Sequence, residues 1–179
     1  MSQTNPSSHF DALLVEASKG DNRAFRKIYN SIAGKMYCLC VRYAGNTNDA
    51  NDWFQDGFIK LYKNLASFRG EGSFEGWARK IFVLTCIDGI KKRSPTFSEI
   101  EASAGIADAN LSAYDKLSSE DLMAVIRNLP DNARTVVNLY FIEGYSHKEI
   151  GILLNISEEA SRSQLFRARL LLKKQLTES

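Results

Sequence analysis

Residues 146–176 read SHKEIGILLNISEEASRSQLFRARLLLKKQL, and their spacing decides the fold of the C-terminal part of the chain. Ser146 followed by Glu149 is a capping box, in which the serine hydroxyl takes a backbone N–H of the first helical turn and the glutamate reaches back to the serine N–H. Ile150, Leu153 and Leu154 then recur at helical spacing. Asn155-Ile156-Ser157 interrupts the pattern, and a second helix runs to about Leu176. A short helix, a tight turn and a basic helix make a helix-turn-helix. The second helix carries Arg162, Ser163, Gln164, Arg167 and Arg169 among Leu165, Phe166, Ala168, Leu170, Leu171 and Leu172. Arg and Gln have the paired donors and acceptors that match base edges in the major groove, while serine and further arginines suit phosphate oxygens. Glu158 and Glu159 suit the dipole of the helix start but repel phosphates. One of them could instead accept from a cytosine amino group.

Working outward, a helical pattern begins at Ser118 with Leu122, Val125, Ile126 and Leu129, and Leu129-Pro130 separates it from the next. The run VVNLYFI at 136–142 has strand-like β-branched and aromatic content. It is assigned to helix because no second strand lies nearby to pair with it. Upstream, residues 94–117 lack sustained periodicity and are rich in Ser, Ala, Asp and Glu, the composition of a flexible linker. Ser94-Pro95 closes the helix before it, since proline disfavours the helical region for the preceding residue.

The N-terminal part is helical throughout. A short helix places Phe10, Leu13, Leu14 and Ala17 on one face, and a long one follows the Gly20-Asp21 break with Phe25, Ile28, Tyr29, Ile32, Met36, Leu39, Cys40 and Tyr43. A third runs from about Asp49 to Leu65, with Asp52, Gln55, Asp56, Lys60 and Lys63 on its wet side, a polar face suited to a protein partner. After the loop SFRGEGS, Ser73 caps a fourth helix that reaches about Lys92. The loop and fourth helix interleave Phe68, Phe74, Trp77 and Phe82 with Arg69, Arg79, Lys80, Lys91, Lys92 and Arg93. Unstacked single-stranded DNA needs that combination, because bases stack on rings while cations follow the backbone. At helical spacing the same rings, Trp77 and Phe82 especially, also suit a core.

Charge follows the same division. Residues 1–93 hold 14 Lys and Arg against 9 Asp and Glu, residues 94–119 hold 1 against 4, and residues 120–179 hold 8 of each. Within the last piece the positive charge concentrates after Arg162, a pattern suited to two separate contacts with a polyanion. The 179 residues are 44% hydrophobic and 25% charged, as in soluble globular proteins, with room for one ordinary domain or two small ones. No apolar run approaches the ~18 residues of a membrane span, and MSQTNPSSHF resembles no signal peptide, so a cytoplasmic location is expected. Cys38, Cys40 and Cys86 have no zinc spacing and read as small packing residues. Asp52 and Asp56 lack a third ligand with recognisable spacing, so no metal is expected. With only His9 and His147 present, no nucleophile, base and orienter can be assembled. The chain reads as no enzyme, with no catalytic residues, no cofactor and no small-molecule substrate.

The runs GDNRAFRKIY, NDANDWFQDGFIKLYKNLASFRGEGSFEGWARKIF and LPDNARTVVNLYFIEGYSHKEIGILLNISEEASRSQLFRARLLLKKQL together resemble a bacterial extracytoplasmic-function (ECF) sigma factor. The resemblance implies an all-α chain of two small helical domains joined by a flexible linker: a region-two-like bundle at 1–93, a linker at 94–117 and a region-four-like helix-turn-helix domain at 118–179. It implies a dissociable specificity subunit of RNA polymerase that binds the core enzyme and promoter DNA. Asp52, Gln55, Asp56 and Phe58 would occupy the core-polymerase-binding motif. Residues Phe68, Arg69, Trp77, Arg79, Lys80, Asp88, Lys91, Lys92 and Arg93 would hold and melt the minus 10 element. Arg162, Ser163, Phe166 and Arg167 would read the minus 35 element as duplex. An inhibitory anti-sigma factor, often at the membrane in this family, is the further partner implied.

The chain departs from the family pattern in three ways. Leu84 stands where members commonly have Asn, four residues before the position of Asp88, and leucine cannot hydrogen-bond a flipped base. Trp53 and Phe54 replace an aliphatic pair, and Glu158-Glu159 replace a small residue with Gly. Two alternatives stay open: a protein-interaction module, which would show no salt-dependent DNA binding, and a conventional helix-turn-helix regulator that binds duplex DNA without polymerase. It accounts for residues 120–176 equally well and leaves the aromatic and basic stretch at 68–93 without a purpose.

Overall fold

A computed structural model describes residues 6–93 and 119–177. The expected linker at 94–117, Ser118, and the side chains of His9, Leu122 and Leu176 lie outside the described residues. Eight α-helices are described: α1 (Pro6–Ser18), α2 (Asn22–Ala44), α3 (Thr47–Asn64), α4 (Phe74–Arg93), α5 (Ser119–Arg127), α6 (Asp131–Val137), α7 (His147–Leu154) and α8 (Glu158–Thr177). They fall into two compact units, one within Met1–Val41 and Asn46–Cys86, the other within Arg42–Gly45 and Ile87–Ser179.

In the first unit, side chains just outside α2, α3 and α4 set where each begins. The Asp21 carboxylate accepts from the N–H groups of Arg23 and Ala24 at 2.7 and 3.2 Å, starting α2. The Asn46 side chain accepts from Asp49 N–H at 2.9 Å and starts α3. Ser73 accepts from Gly76 N–H at 3.0 Å, so it caps α4 as its sequence position predicts. The core is built from Ile28, Ile32, Met36 and Leu39 of α2, Trp53, Phe58 and Leu61 of α3, and Phe74, Ala78, Phe82 and Val83 of α4. Gly57 makes the approach of α3 to α4 possible. A Cβ there would stand 2.4 Å from Cε1 of Phe82, so the Phe82 ring occupies the space a side chain would need. Cys40 and Cys86 are buried with their sulfurs 3.9 Å apart, while Cys38 is exposed.

In the second unit Ile126 and Leu129 meet Ala133, Val136, Val137 and Leu139, and α7 and α8 close that core with Ile150, Leu154, Leu165, Ala168 and Leu172. The VVNLYFI run is helical as expected, with one difference. Over Asn138–Ile142 the turn widens, so that Glu143 N–H donates to Asn138 O five residues back at 3.0 Å. Arg134 is 3% exposed. Its guanidinium donates to the carbonyls of Arg127 and Leu129 at 3.1 and 2.7 Å and pairs with Asp131. Five N–H donors in a fixed fork allow this burial, since a buried cation must be both paired and hydrogen-bonded.

Candidate nucleic-acid interface

The helix-turn-helix is held by local chemistry. Ser146 Oγ accepts from Glu149 N–H at 3.3 Å, while Glu149 Oε2 takes both the Ser146 N–H and its hydroxyl at 2.8 and 2.7 Å. Those two bonds hold the Glu149 carboxyl below its ordinary pKa. Helix α7 ends at Asn155, whose φ of 58° and ψ of 49° are left-handed, a conformation asparagine tolerates. The turn then presses on α7, where a Cβ on Gly151 would stand 2.8 Å from Ile156 O. Ser157 accepts from Ala160 N–H at 3.0 Å and starts α8.

Helix α8 buries Ser161, Leu165, Ala168 and Leu172 at intervals of four, three and four residues. At 100° per residue this leaves Arg162 and Phe166 on one flank of the outward face, and Ser163 and Arg167 on the other. Arg162 is exposed, and the other three are half-buried. All four minus 35 candidates therefore stand off the core. Arg162 also donates from Nη2 to the Glu158 carboxylate at 2.5 Å, one turn earlier. The Arg169 guanidinium lies 5.6 Å from the Phe141 ring centroid, a cation–π contact. His147 stacks on Tyr140, with centroids 4.6 Å apart and planes at 20°, and its Nδ1 lies 2.9 Å from Ser161 Oγ. Burial pushes the His147 pKa down, and nearby Arg162 and then Arg169 add to that, partly opposed by Glu158.

The core-binding candidates divide. Asp52, Gln55 and Asp56 are exposed on α3. Phe58 is only 7% exposed, with its ring centroid 4.4 Å from that of Tyr29 and 5.1 Å from that of Phe82. It anchors α3 in the core and offers no surface. Beside these rings a groove of about 510 Å³ lies between α2 and α3, lined by Tyr29, Ala33, Gly34, Tyr37, Asn51, Phe54 and Gln55.

Among the minus 10 candidates, Phe68 and Trp77 are brought together at 5.3 Å between centroids, both half-buried, over the buried Phe74. Arg69 and Lys80 are exposed, Arg79 is half-buried, and Asp88 and Lys92 are exposed further along α4. Within the second unit Lys91 donates to Leu153 O at 2.8 Å, and Arg93 pairs with Asp131. Leu84 is 38% exposed, a large apolar group at the surface. Among the described residues no cluster of His, Cys, Asp and Glu could hold a metal, and no helix is long and apolar enough to cross a membrane.

These features define a class: a helical protein with a capped helix-turn-helix in one unit and an aromatic-basic surface in the other. Comparison with known families narrows it. The model of sigma-70 region 2 matches residues 28–96, and that of sigma-70 region 4 matches residues 119–172. The chain is 32% identical over 176 residues to the ECF RNA polymerase sigma factor SigW of Bacillus subtilis, covering 91% of this chain and 94% of that protein. It is 30% identical over 171 residues to the ECF RNA polymerase sigma-E factor of Haemophilus influenzae, covering 88% and 90%. A solved structure of the sigma factor RpoE with the anti-sigma factor NepR from Bartonella quintana has a similar fold, with TM-score 0.52, 20% identity and coverage of 86% of this chain and 96% of that one. The chain belongs to the ECF sigma factors of bacterial RNA polymerase. Its role is that of a non-catalytic initiation factor that binds core polymerase and directs it to promoters.

Proposed function

We propose that promoter recognition is divided between the two domains, with residues 1–93 binding core polymerase and opening the minus 10 element, residues 118–179 reading the minus 35 element, and residues 94–117 linking them. One observation carries the reading. Arg162, Ser163, Phe166 and Arg167 stand on the outward face of a helix whose other face is locked into a capped helix-turn-helix. A recognition helix enters the major groove by its N-terminal residues, where this set begins.

The exposed Asp52, Gln55 and Asp56 dock on the polymerase. Phe68 and Trp77 stack on unpaired bases of the minus 10 strand while Arg69, Arg79, Lys80 and Lys92 follow its phosphates, joined by Lys91 and Arg93 once these leave Leu153 O and Asp131, and Asp88 borders the base pocket. Leu84 contributes apolar contact only. Neither domain need hold DNA tightly alone. With both domains on one polymerase surface, the second contact is intramolecular, at an effective concentration on the order of mM. The chain works in the cytoplasm, and its inhibitory partner is an anti-sigma factor, the kind of protein bound to the RpoE whose fold it resembles.

Transcription in vitro with core polymerase on a fragmented genomic library tests this. Starts sharing two spaced upstream elements are expected only when the protein is present. Arg162→Ala is expected to cost about 1–3 kcal/mol of discrimination at one upstream base pair. Equal transcription by the wild type from matched and mismatched upstream elements would overturn the assignment to α8.

A further inference from the structure

We propose that Glu158 is a positioning residue for Arg162, fixing the guanidinium before DNA arrives and suppressing its attraction to phosphate of any sequence. The inference rests on the reading of α8 as the minus 35 helix and assigns a role to a residue outside that set.

Glu158 Oε1 accepts from Arg162 Nη2 at 2.5 Å across one helical turn. Glutamate four residues before a cation is the favourable order on a helix. The carboxylate lies in the first turn of α8, where the helix dipole favours it. Both side chains remain accessible, at 38% for Glu158 and 53% for Arg162, so the pair sits at the surface a DNA groove would meet.

A carboxylate is otherwise out of place there, because phosphates repel it. The pairing gives it a purpose. A guanidinium has five N–H donors, and one bond to Glu158 leaves enough for a bidentate contact with guanine O6 and N7. The bond also restricts the rotamers of a long side chain, whose freedom would otherwise be lost on meeting the base. Finally it offsets the positive charge of Arg162, which weakens sequence-independent binding more than specific binding. Glu158 thus lowers affinity for DNA in general and sharpens choice at one base pair.

The test uses holoenzyme assembled from core polymerase and the full chain, with selection and sequencing from promoters whose upstream element is randomised. Wild type, Arg162→Ala, Glu158→Gln, Glu158→Asp and the Arg162→Ala/Glu158→Gln double variant are compared. The Asp variant keeps the charge but sets the carboxylate one methylene further back, so it holds the guanidinium in a different position. Both Glu158 variants are expected to lose roughly 3- to 10-fold of preference at the base pair where Arg162→Ala loses its own, a fraction of what one bidentate contact confers. Glu158→Gln is also expected to bind mismatched elements several-fold better. In the Arg162→Ala background, Glu158→Gln should change that preference no further. Wild-type preference in Glu158→Gln, with Arg162→Ala impaired, overturns the inference and leaves the reading of α8 standing. Wild-type behaviour of Glu158→Asp overturns it as well, since charge alone would then suffice. An effect of Glu158→Gln at a different base pair would make Glu158 an independent reader of cytosine and also overturn it. Unchanged preference in Arg162→Ala overturns both the inference and the role of Arg162.

Discussion

His147 Nδ1 lies 2.9 Å from the hydroxyl of Ser161, joining the first residue of α7 to a fully buried position of α8. The imidazole is stacked on Tyr140 and faces Arg162, Arg169 and Glu158, and its pKa in the folded chain lies below the ordinary value of 6.5. The unfolded chain therefore takes up a proton at a higher pH than the folded one. The neutral ring's contribution to stability is complete above about 6.5 and is lost as pH falls from there toward the folded value. Denaturant midpoints of the second unit, followed by far-UV circular dichroism, should fall over that window. His147→Phe keeps an aromatic stack without a proton to gain, and its midpoint should stay flat there. Glu149, whose pKa is lowered by Ser146, acts in a separate window, beginning near its ordinary 4.5 and extending below.

The contact of α3 with α4 leads to a second prediction. Gly57→Ala would gain about 1 kcal/mol of helix propensity. The added methyl would nevertheless meet the buried Phe82 ring at 2.4 Å. Overpacking costs roughly 1–3 kcal/mol, so the first unit should be destabilised on balance. Both tryptophans, Trp53 and Trp77, lie in that unit, so tryptophan fluorescence reports its unfolding alone. Gly57→Ala should lower the fluorescence midpoint, and Phe82→Leu added to it should recover part of the loss. A midpoint at or above wild type for the single variant would show that the helices can separate without cost.

What the sequence declared and what it concealed follows from the range of the interactions involved. The capping box of Ser146 and Glu149, the Ser73 cap and the turn at Asn155 are made by residues a few positions apart, so spacing alone reveals them. The outward face of α8 was not legible in the same way, because Leu170 and Leu171 stand exposed while Ser161 is buried. Burial of Phe58 was not legible, because an aromatic beside a wet face can point either way until Tyr29 and Phe82 are placed against it. Arg134 escaped notice for the opposite reason. A single Arg in an apolar stretch reads as exposed, and apart from Asp131 its acceptors are main-chain carbonyls, which carry no sequence signal. The widened turn at Asn138–Ile142 has no composition of its own. The pairing of Glu158 with Arg162 lay within reach of the four-residue rule, yet a carboxylate near a DNA surface first suggests repulsion.

Ser146→Ala removes the hydroxyl that accepts from Glu149 N–H and one of the two bonds restraining the Glu149 carboxylate. The loss should be about 1 kcal/mol in the second unit. Ser146→Asp should recover most of it, since aspartate also accepts at this position. Urea midpoints by circular dichroism, with the fluorescence midpoint of the first unit unchanged, would confirm that the cap acts locally.

The face of α3 separates a binding role from a structural one. Asp52→Lys with Asp56→Lys reverses two exposed charges, and the core of Trp53, Phe58 and Leu61 beside them is untouched. The fold should persist, with an unchanged fluorescence midpoint, while competition for core polymerase against wild type weakens by about tenfold or more at low salt. The defect should shrink as ionic strength rises, because at 0.15 M exposed charges are screened beyond about 8 Å. Phe58→Ala should behave differently. Truncating a buried phenylalanine costs about 3–5 kcal/mol, so the first unit should unfold early and lose polymerase binding at every salt concentration. If the double charge reversal bound core polymerase like wild type, the docking surface would have to lie elsewhere on the first unit, with the aromatic groove of Tyr29, Tyr37 and Phe54 the next face to test.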